Sequence, residues 1–113
     1  MSDVIVIGGG ASGLAAAIEA ARGGCSVTVL EQKERTGKKI LATGNGRCNL
    51  TNLYMDPYAC YRGGNPGFTA QILEQVTVDE TLDWFRDLGI PTKDRNGYVY
   101  PRSDQAAAVA EAL

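Results

Sequence analysis

The chain opens on Val4-Ile5-Val6-Ile7, Gly8-Gly9-Gly10-Ala11-Ser12-Gly13, Leu14 to Arg22, and then Val27-Thr28-Val29-Leu30-Glu31. Four consecutive β-branched residues predict a short strand buried on both faces, as in a parallel sheet. Gly8, Gly10 and Gly13 give G-x-G-x-x-G at its end, and the helix formers from Leu14 to Ala21 follow directly. A second apolar run closes on Glu31, eighteen positions after Gly13.

Each residue type has a physical task in this arrangement. Gly8 turns the backbone out of the strand, Gly10 lets a pyrophosphate approach the main chain, and Gly13 with Ala17 lets the helix pack closely on the strands. The first amides of that helix and its positive dipole end face the phosphates. Ala11 and Ser12 contribute such amides. Glu31 ends the second strand with Gln32 beside it, placed to accept hydrogen bonds from both ribose hydroxyls. A 2′-phosphate would be repelled by Glu31, so FAD or NAD is expected and NADP is not. The bland reading, a glycine-rich turn with no ligand, lacks the reason for an acid at that distance.

Composition fits one small domain of 113 residues, 44% hydrophobic and 21% charged. A net charge of −2 argues against a nucleic-acid or anionic-membrane partner. No run is long enough to span a bilayer, and a strand starting at Val4 leaves no room for a signal peptide, so the expected compartment is cytoplasmic. Cys25, Cys48 and Cys60 are odd in number and irregular in spacing, which fits reduced thiols rather than a disulfide framework. With no histidine and no Cys-x-x-Cys pair, a His-based metal site, a Ser-His triad and a dithiol centre are excluded within these residues.

Arg22-Gly23-Gly24 should cap the first helix. Between Gln32 and Lys39 the chain is basic, and either it is a solvated loop or Lys38 or Lys39 reaches the cofactor phosphates. Next comes Thr43-Gly44-Asn45-Gly46-Arg47-Cys48-Asn49-Leu50-Thr51-Asn52, whose composition suits a surface loop as well as a ligand cradle. Residues 53–67 read as irregular. Phe68, Ile72, Leu73 and Val76 share one helical face. Thr77-Val78-Asp79-Glu80 is a capping box opening a helix with Val78, Leu82, Phe85 and Leu88 on one side, ending at Gly89 before Pro91. Trp84 reads as a packing residue. Asn96-Gly97 is a two-residue hairpin turn within residues 92–101, and Ser103 is placed to cap a last helix from Asp104 to Leu113.

The glycine turn, Glu31, Gly37-Lys38-Lys39, the Thr43–Asn52 block and Gly97-Tyr98-Val99-Tyr100-Pro101-Arg102-Ser103 together resemble the BaiN and aminoacetone-oxidase-like flavoproteins. Tyr98 stands where many members have arginine, so that residue's role is not carried over. The resemblance implies a two-dinucleotide-binding-domain fold and a FAD-dependent oxidoreductase. Its substrate is a small organic molecule, and its redox partner a nicotinamide or dioxygen. It also implies that Lys39, Gly44, Gly46, Arg47, Cys48 and Asn49 contact the cofactor, with Cys48 a small neighbour of the flavin rather than a redox thiol. The domain division expected is a βαβ unit at 1–31, a cofactor-contacting loop at 32–66, and helices with a hairpin at 67–113. Only two good parallel strands are present, so the chain is expected to be the amino-terminal part of a larger enzyme, without the substrate domain. An NAD-dependent dehydrogenase fragment and a non-catalytic nucleotide-binding fragment are the alternatives.

Overall fold

The computed structural model describes residues 3–61 and 63–113. It is an α/β Rossmann-like βαβ unit whose parallel sheet has two strands, joined to a small antiparallel sheet. The first strand, β1 (Val4–Ile7), runs parallel to β2 (Val27–Leu30), in register from Val4 opposite Val27 to Ile7 opposite Leu30. Between them α1 (Ala11–Arg22) crosses over and buries Leu14. The left-handed residue closing this helix is Gly24 (φ 93°), while Gly23 keeps a negative φ.

The expectation that the first strand is buried on both faces is not met. Val4, Val6, Val27 and Val29 face α1, whereas Ile5, Ile7 and Leu30 are 60%, 86% and 52% exposed. The β-branched run specifies a two-sided strand, and the described residues supply a cover for only one side.

After β2 the chain runs to a 3-10 segment, Lys38–Gly46, kinked at Thr43 and with Gly44 and Asn45 both left-handed. It then gives β3 (Thr51–Asn52), a short helical turn α2 (Pro57–Cys60), α3 (Pro66–Gln75) and α4 (Val78–Asp87). Residues 53–67 are thus not wholly irregular, because α2 lies within them and α3 starts at their end. The shared face of α3 is largely open, with Phe68, Ile72 and Val76 each more than half exposed. Asn65 caps α3 by accepting from the Phe68 amide at 3.0 Å. On α4 the capping box forms as the sequence dictates. Glu80 N–H donates to Thr77 Oγ1 at 3.2 Å, and Thr77 N–H donates to Glu80 Oε1 at 3.3 Å.

Trp84 docks α4 on α1. Its indole N–H donates to Glu19 Oε1 at 2.6 Å, and the Arg22 guanidinium lies 5.7 Å from its ring centre.

The hairpin of β4 (Thr92–Arg95) and β5 (Tyr98–Pro101) turns at Asn96 and Gly97, both with positive φ as a type I′ turn requires. Strand β3 adds to its other edge, giving the antiparallel order β3-β5-β4. The last helix, α5 (Ala106–Ala112), starts two residues later than expected. Asp104 takes a left-handed φ of 57° and its carboxylate pairs with Lys93, so this residue closes a turn instead of opening a helix. The core lies here, where Ile40 and Cys48 pack with Ile90, Ala106 and Val109.

Candidate functional site

At the carboxyl ends of β1 and β2 the glycine turn and Glu31 meet. Gly8 has φ 97° and its amide donates to Leu30 O at 2.8 Å, which ties the turn to the neighbouring strand. Gly13 is needed for packing: a Cβ there would overlap the Gly8 carbonyl oxygen and lie 3.3 Å from Val6 Cγ1. Gly10 behaves oppositely. A Cβ at this position would meet nothing within 4 Å, so the space in front of the α1 N-terminus is open. Exposed Ala11 and Ser12 form the first turn of that helix.

Glu31 Oε1 accepts from the Gly9 amide at 2.9 Å, and Oε2 accepts from the Lys33 amide at 2.8 Å. These hydrogen bonds, that from Lys33 first and that from Gly9 second, hold its carboxyl below the usual carboxylate range. Each carboxylate oxygen has further lone pairs, so two bonds leave acceptor capacity for a ligand's hydroxyls. An open hollow of about 740 Å³ borders this point, lined by Ile7, Gly8, Leu30, Glu31 and Gln32 among others. The structure therefore brings together Gly8, Gly10, Ala11, Ser12, Gly13, Glu31 and Gln32.

Gly9 is the residue that motif reading passed over, since it is an "x" of the fingerprint. Its amide serves Glu31, its carbonyl accepts from Gly37 N–H at 2.7 Å, and a Cβ on it would lie 2.6 Å from Thr36 Cγ2. Gly9 and Gly37 are both buried by this stitching. A run of three glycines where the fingerprint requires two was the available signal.

The second group of expected residues lies on the segment that Gly37 starts. Lys38 and Lys39 are exposed on its first turn. Gly44 (φ 55°) is sterically obligatory, because a Cβ would come within 2.6 Å of the Asn49 amide nitrogen. Gly46 (φ 85°) has open space around it, and Arg47 caps the segment with its side chain exposed. Cys48 turns inward: it is 6% exposed, within the core cluster, with φ 62°. Asn49 Nδ2 donates to Thr51 O at 3.1 Å and to Val99 O at 3.0 Å, locking this stretch to β5. Within the loop the Arg47 amide donates to Gly44 O at 3.1 Å and the Cys48 amide to Thr43 O at 2.9 Å, which folds it into a turn.

Among the described residues no group of His, Cys, Asp and Glu could hold a metal ion, and no helix is long and apolar enough to cross a membrane.

Comparison with known proteins agrees with this geometry. The model of the HI0933-like protein Rossmann domain matches residues 2–113. A 3-dehydro-bile acid delta(4,6)-reductase of Clostridium scindens is 59% identical over 115 aligned positions, covering 100% of this chain and 28% of that protein. Ribosomal RNA dihydrouridine synthases of Escherichia coli and Haemophilus influenzae are 39% and 40% identical over 78% and 79% of this chain, each across 22% of its own length. The chain thus spans about a quarter of the length of these relatives. Together with the parallel βαβ unit and its glycine turn, the match bears out the resemblance read from the motifs: this chain belongs to the HI0933-like family, as its Rossmann domain.

Proposed function

We propose that this chain is the FAD-binding part of an oxidoreductase that reduces or oxidises a small organic substrate, with a nicotinamide or dioxygen as its redox partner. One observation carries the reading: the Glu31 carboxylate is hydrogen-bonded to the Gly9 amide, and the neighbouring Gly10 presents an open face. That is the arrangement needed to grip an adenosine ribose and its pyrophosphate together. The amides of Ala11, Ser12 and Gly13 would hold the phosphates at the α1 N-terminus, and Glu31 with Gln32 would hold the ribose. Lys39, Gly44, Gly46, Arg47 and Asn49 would run beside the remainder of the cofactor, with buried Cys48 supporting the loop from the core side. FAD bound there would supply two-electron chemistry on its ring, while the protein supplies position and electrostatics.

The working division of the chain remains 1–31 for the dinucleotide turn, 32–66 for cofactor contacts and 67–113 for support. The 59% identity to a bile-acid reductase supports reduction of a small molecule. A ribosomal RNA substrate is the second reading, carried by the two dihydrouridine synthases. The net charge of −2 weighs against it for this domain.

The test is the visible absorption spectrum of the protein containing this chain, at its natural length, after incubation with FAD and desalting. The expected result is a retained flavin band. Absence of flavin together with retention of NAD would replace this reading with an NAD-dependent dehydrogenase. Turnover assays with a 3-oxo steroid and with ribosomal RNA separate the two substrate readings, and consumption of the steroid alone is expected.

A further inference from the structure

Asp104 is a carboxylate with one oxygen used and one left over. Oδ2 pairs with Lys93 Nζ, joining β4 to the turn just ahead of α5. Oδ1 is buried and has no hydrogen-bond donor among the described residues. The side chain as a whole is 29% exposed, so its open surface lies elsewhere than at Oδ1. An ionised oxygen shut away from water costs stability unless a donor reaches it. Cover of this kind does not depend on what else packs around the domain, since more chain can only add to it.

The backbone is committed to this placement. Asp104 holds φ 57°, and its amide donates to Pro101 O at 2.9 Å, which fixes the residue in the turn between β5 and α5. Aspartate and asparagine tolerate that left-handed conformation better than most residues.

The Thr43–Asn52 loop passes the same spot. Lys93 stands opposite Tyr100 in the β4–β5 register, so the two side chains share one face of the hairpin. A Cβ on Gly44 would lie 3.4 Å from Tyr100 Cε1, which puts Gly44 against that face. Gly44 O also accepts the Arg47 amide, and Cys48, next along the chain, packs in one core cluster with Ala106. The hydrogen bond from Lys93 above all, and then the charges of Lys93, Arg47 and Arg95, hold the Asp104 carboxyl below its usual range against desolvation. Arg95 lies opposite Tyr98 at the turn end of the hairpin, two residues and about 7 Å along β4 from Lys93. Arg47 comes from the loop itself.

We infer that Asp104 Oδ1 is the seat of the Arg47 guanidinium, and that Asp104 is thereby a positioning residue for the Thr43–Asn52 loop. Arg47 is exposed on the loop, so seating it requires its side chain to turn inward. One carboxylate then holds Lys93 through one oxygen and Arg47 through the other, tying β4, the start of α5 and the loop to one point. In this arrangement the guanidinium faces the fold, and Arg47 serves the loop through the backbone it anchors. The seat stands with or without FAD; only its effect on affinity rests on the proposed FAD reading.

The experiment uses the protein at its natural length with Arg47→Gln, Asp104→Asn and the two combined. Asparagine keeps the left-handed backbone and removes the charge. The Arg47 Nε–H resonance is identified by nitrogen-correlated NMR through its loss in Arg47→Gln. It is expected to persist in wild type at neutral pH and to shift or broaden away in Asp104→Asn. FAD, titrated by flavin fluorescence, should bind about fivefold more weakly to each single variant and no more weakly to the double, because either change empties the same seat. Arg95→Gln, the control, should match wild type in both measurements. An Arg47 resonance indifferent to Asp104→Asn, or affinity losses that multiply in the double variant, would overturn the inference and leave Oδ1 to Arg95 or to a donor elsewhere in the protein. Unchanged affinity in both single variants would overturn the positioning role. Failure of the wild-type protein to bind FAD would refute the flavoprotein reading separately, and the NMR comparison would still decide the seat.

Discussion

Gly13 and Gly10 belong to the same fingerprint, yet substituting each with alanine should produce opposite phenotypes. A Cβ on Gly13 overlaps the Gly8 carbonyl oxygen and stands 3.1 Å from the Gly8 carbonyl carbon, with Val6 behind it at 3.3 Å. The obstacle is backbone, so no side chain can rotate away, and the start of α1 must retreat from β1 by about 1 Å. Overpacking of this kind costs about 3 kcal/mol, offset by about 1 kcal/mol from alanine's better helix propensity, so Gly13→Ala should lose about 2 kcal/mol. Gly10 has φ −80° and ψ −170°, which any residue adopts, and empty space around the added carbon. The lost glycine cap and the lower unfolded-state entropy of alanine nearly cancel, leaving a stability change within about 0.5 kcal/mol. The added methyl, however, occupies the place where a pyrophosphate would meet the backbone, so FAD should bind at least about tenfold more weakly. Urea unfolding of the apo-protein followed by far-UV circular dichroism, together with flavin-fluorescence titration, measures both effects. A Gly13→Ala protein as stable as wild type would refute the packing argument. A Gly10→Ala protein with unchanged FAD affinity would refute the placement of the phosphates.

Glu31→Gln should weaken FAD several-fold while leaving the fold intact, as seen by parallel titration and circular dichroism. Because hydrogen bonds lower the Glu31 carboxyl in the folded state, its contribution to stability is fully present above the ordinary carboxylate range and lost as pH falls through the lowered value. The difference in stability between wild type and Glu31→Gln should therefore shrink on acidification, and a difference that grows instead would contradict the assignment. Thr77→Ala removes one half of the capping box and should cost about 1 kcal/mol in urea unfolding without changing FAD affinity.

What the sequence disclosed and what it withheld divide by range. The glycine turn, the Thr77–Glu80 box and the Asn96-Gly97 turn are local, and each depends on residues whose backbone or side-chain chemistry admits few alternatives. Strand β3 was not legible, because Thr51–Asn52 is too short for a period and its partner on β5 lies far along the chain. The 3-10 segment was hidden by composition: Gly44, Asn45 and Gly46 read as loop residues, and they are left-handed as loop residues would be, within a packed turn. The start of α5 was misplaced because Ser103 is a good capping residue on paper, and only the fold brings Lys93 beside Asp104. Similarly, the division of labour between Gly9 and Gly10 could not be read from three consecutive glycines. It depends on where Thr36 and Gly37 return.

That return has an evolutionary consequence. The chain leaves Gly9's neighbourhood at Glu31 and comes back at Gly37, so residues 32–36 form a closed loop fastened at both ends to one residue. Gln32, Lys33, Glu34 and Arg35 are all exposed, and the hydrogen bond from Lys33 to Glu31 comes from its backbone amide. Such a loop is free to exchange its side chains among descendants. Its length is not free, since an inserted or deleted residue would release either the Glu31 carboxylate or the Gly37 amide from Gly9. Drift in this part of the family should therefore appear as substitution at constant spacing, and the distance from acid to glycine should persist longer than the residues between them.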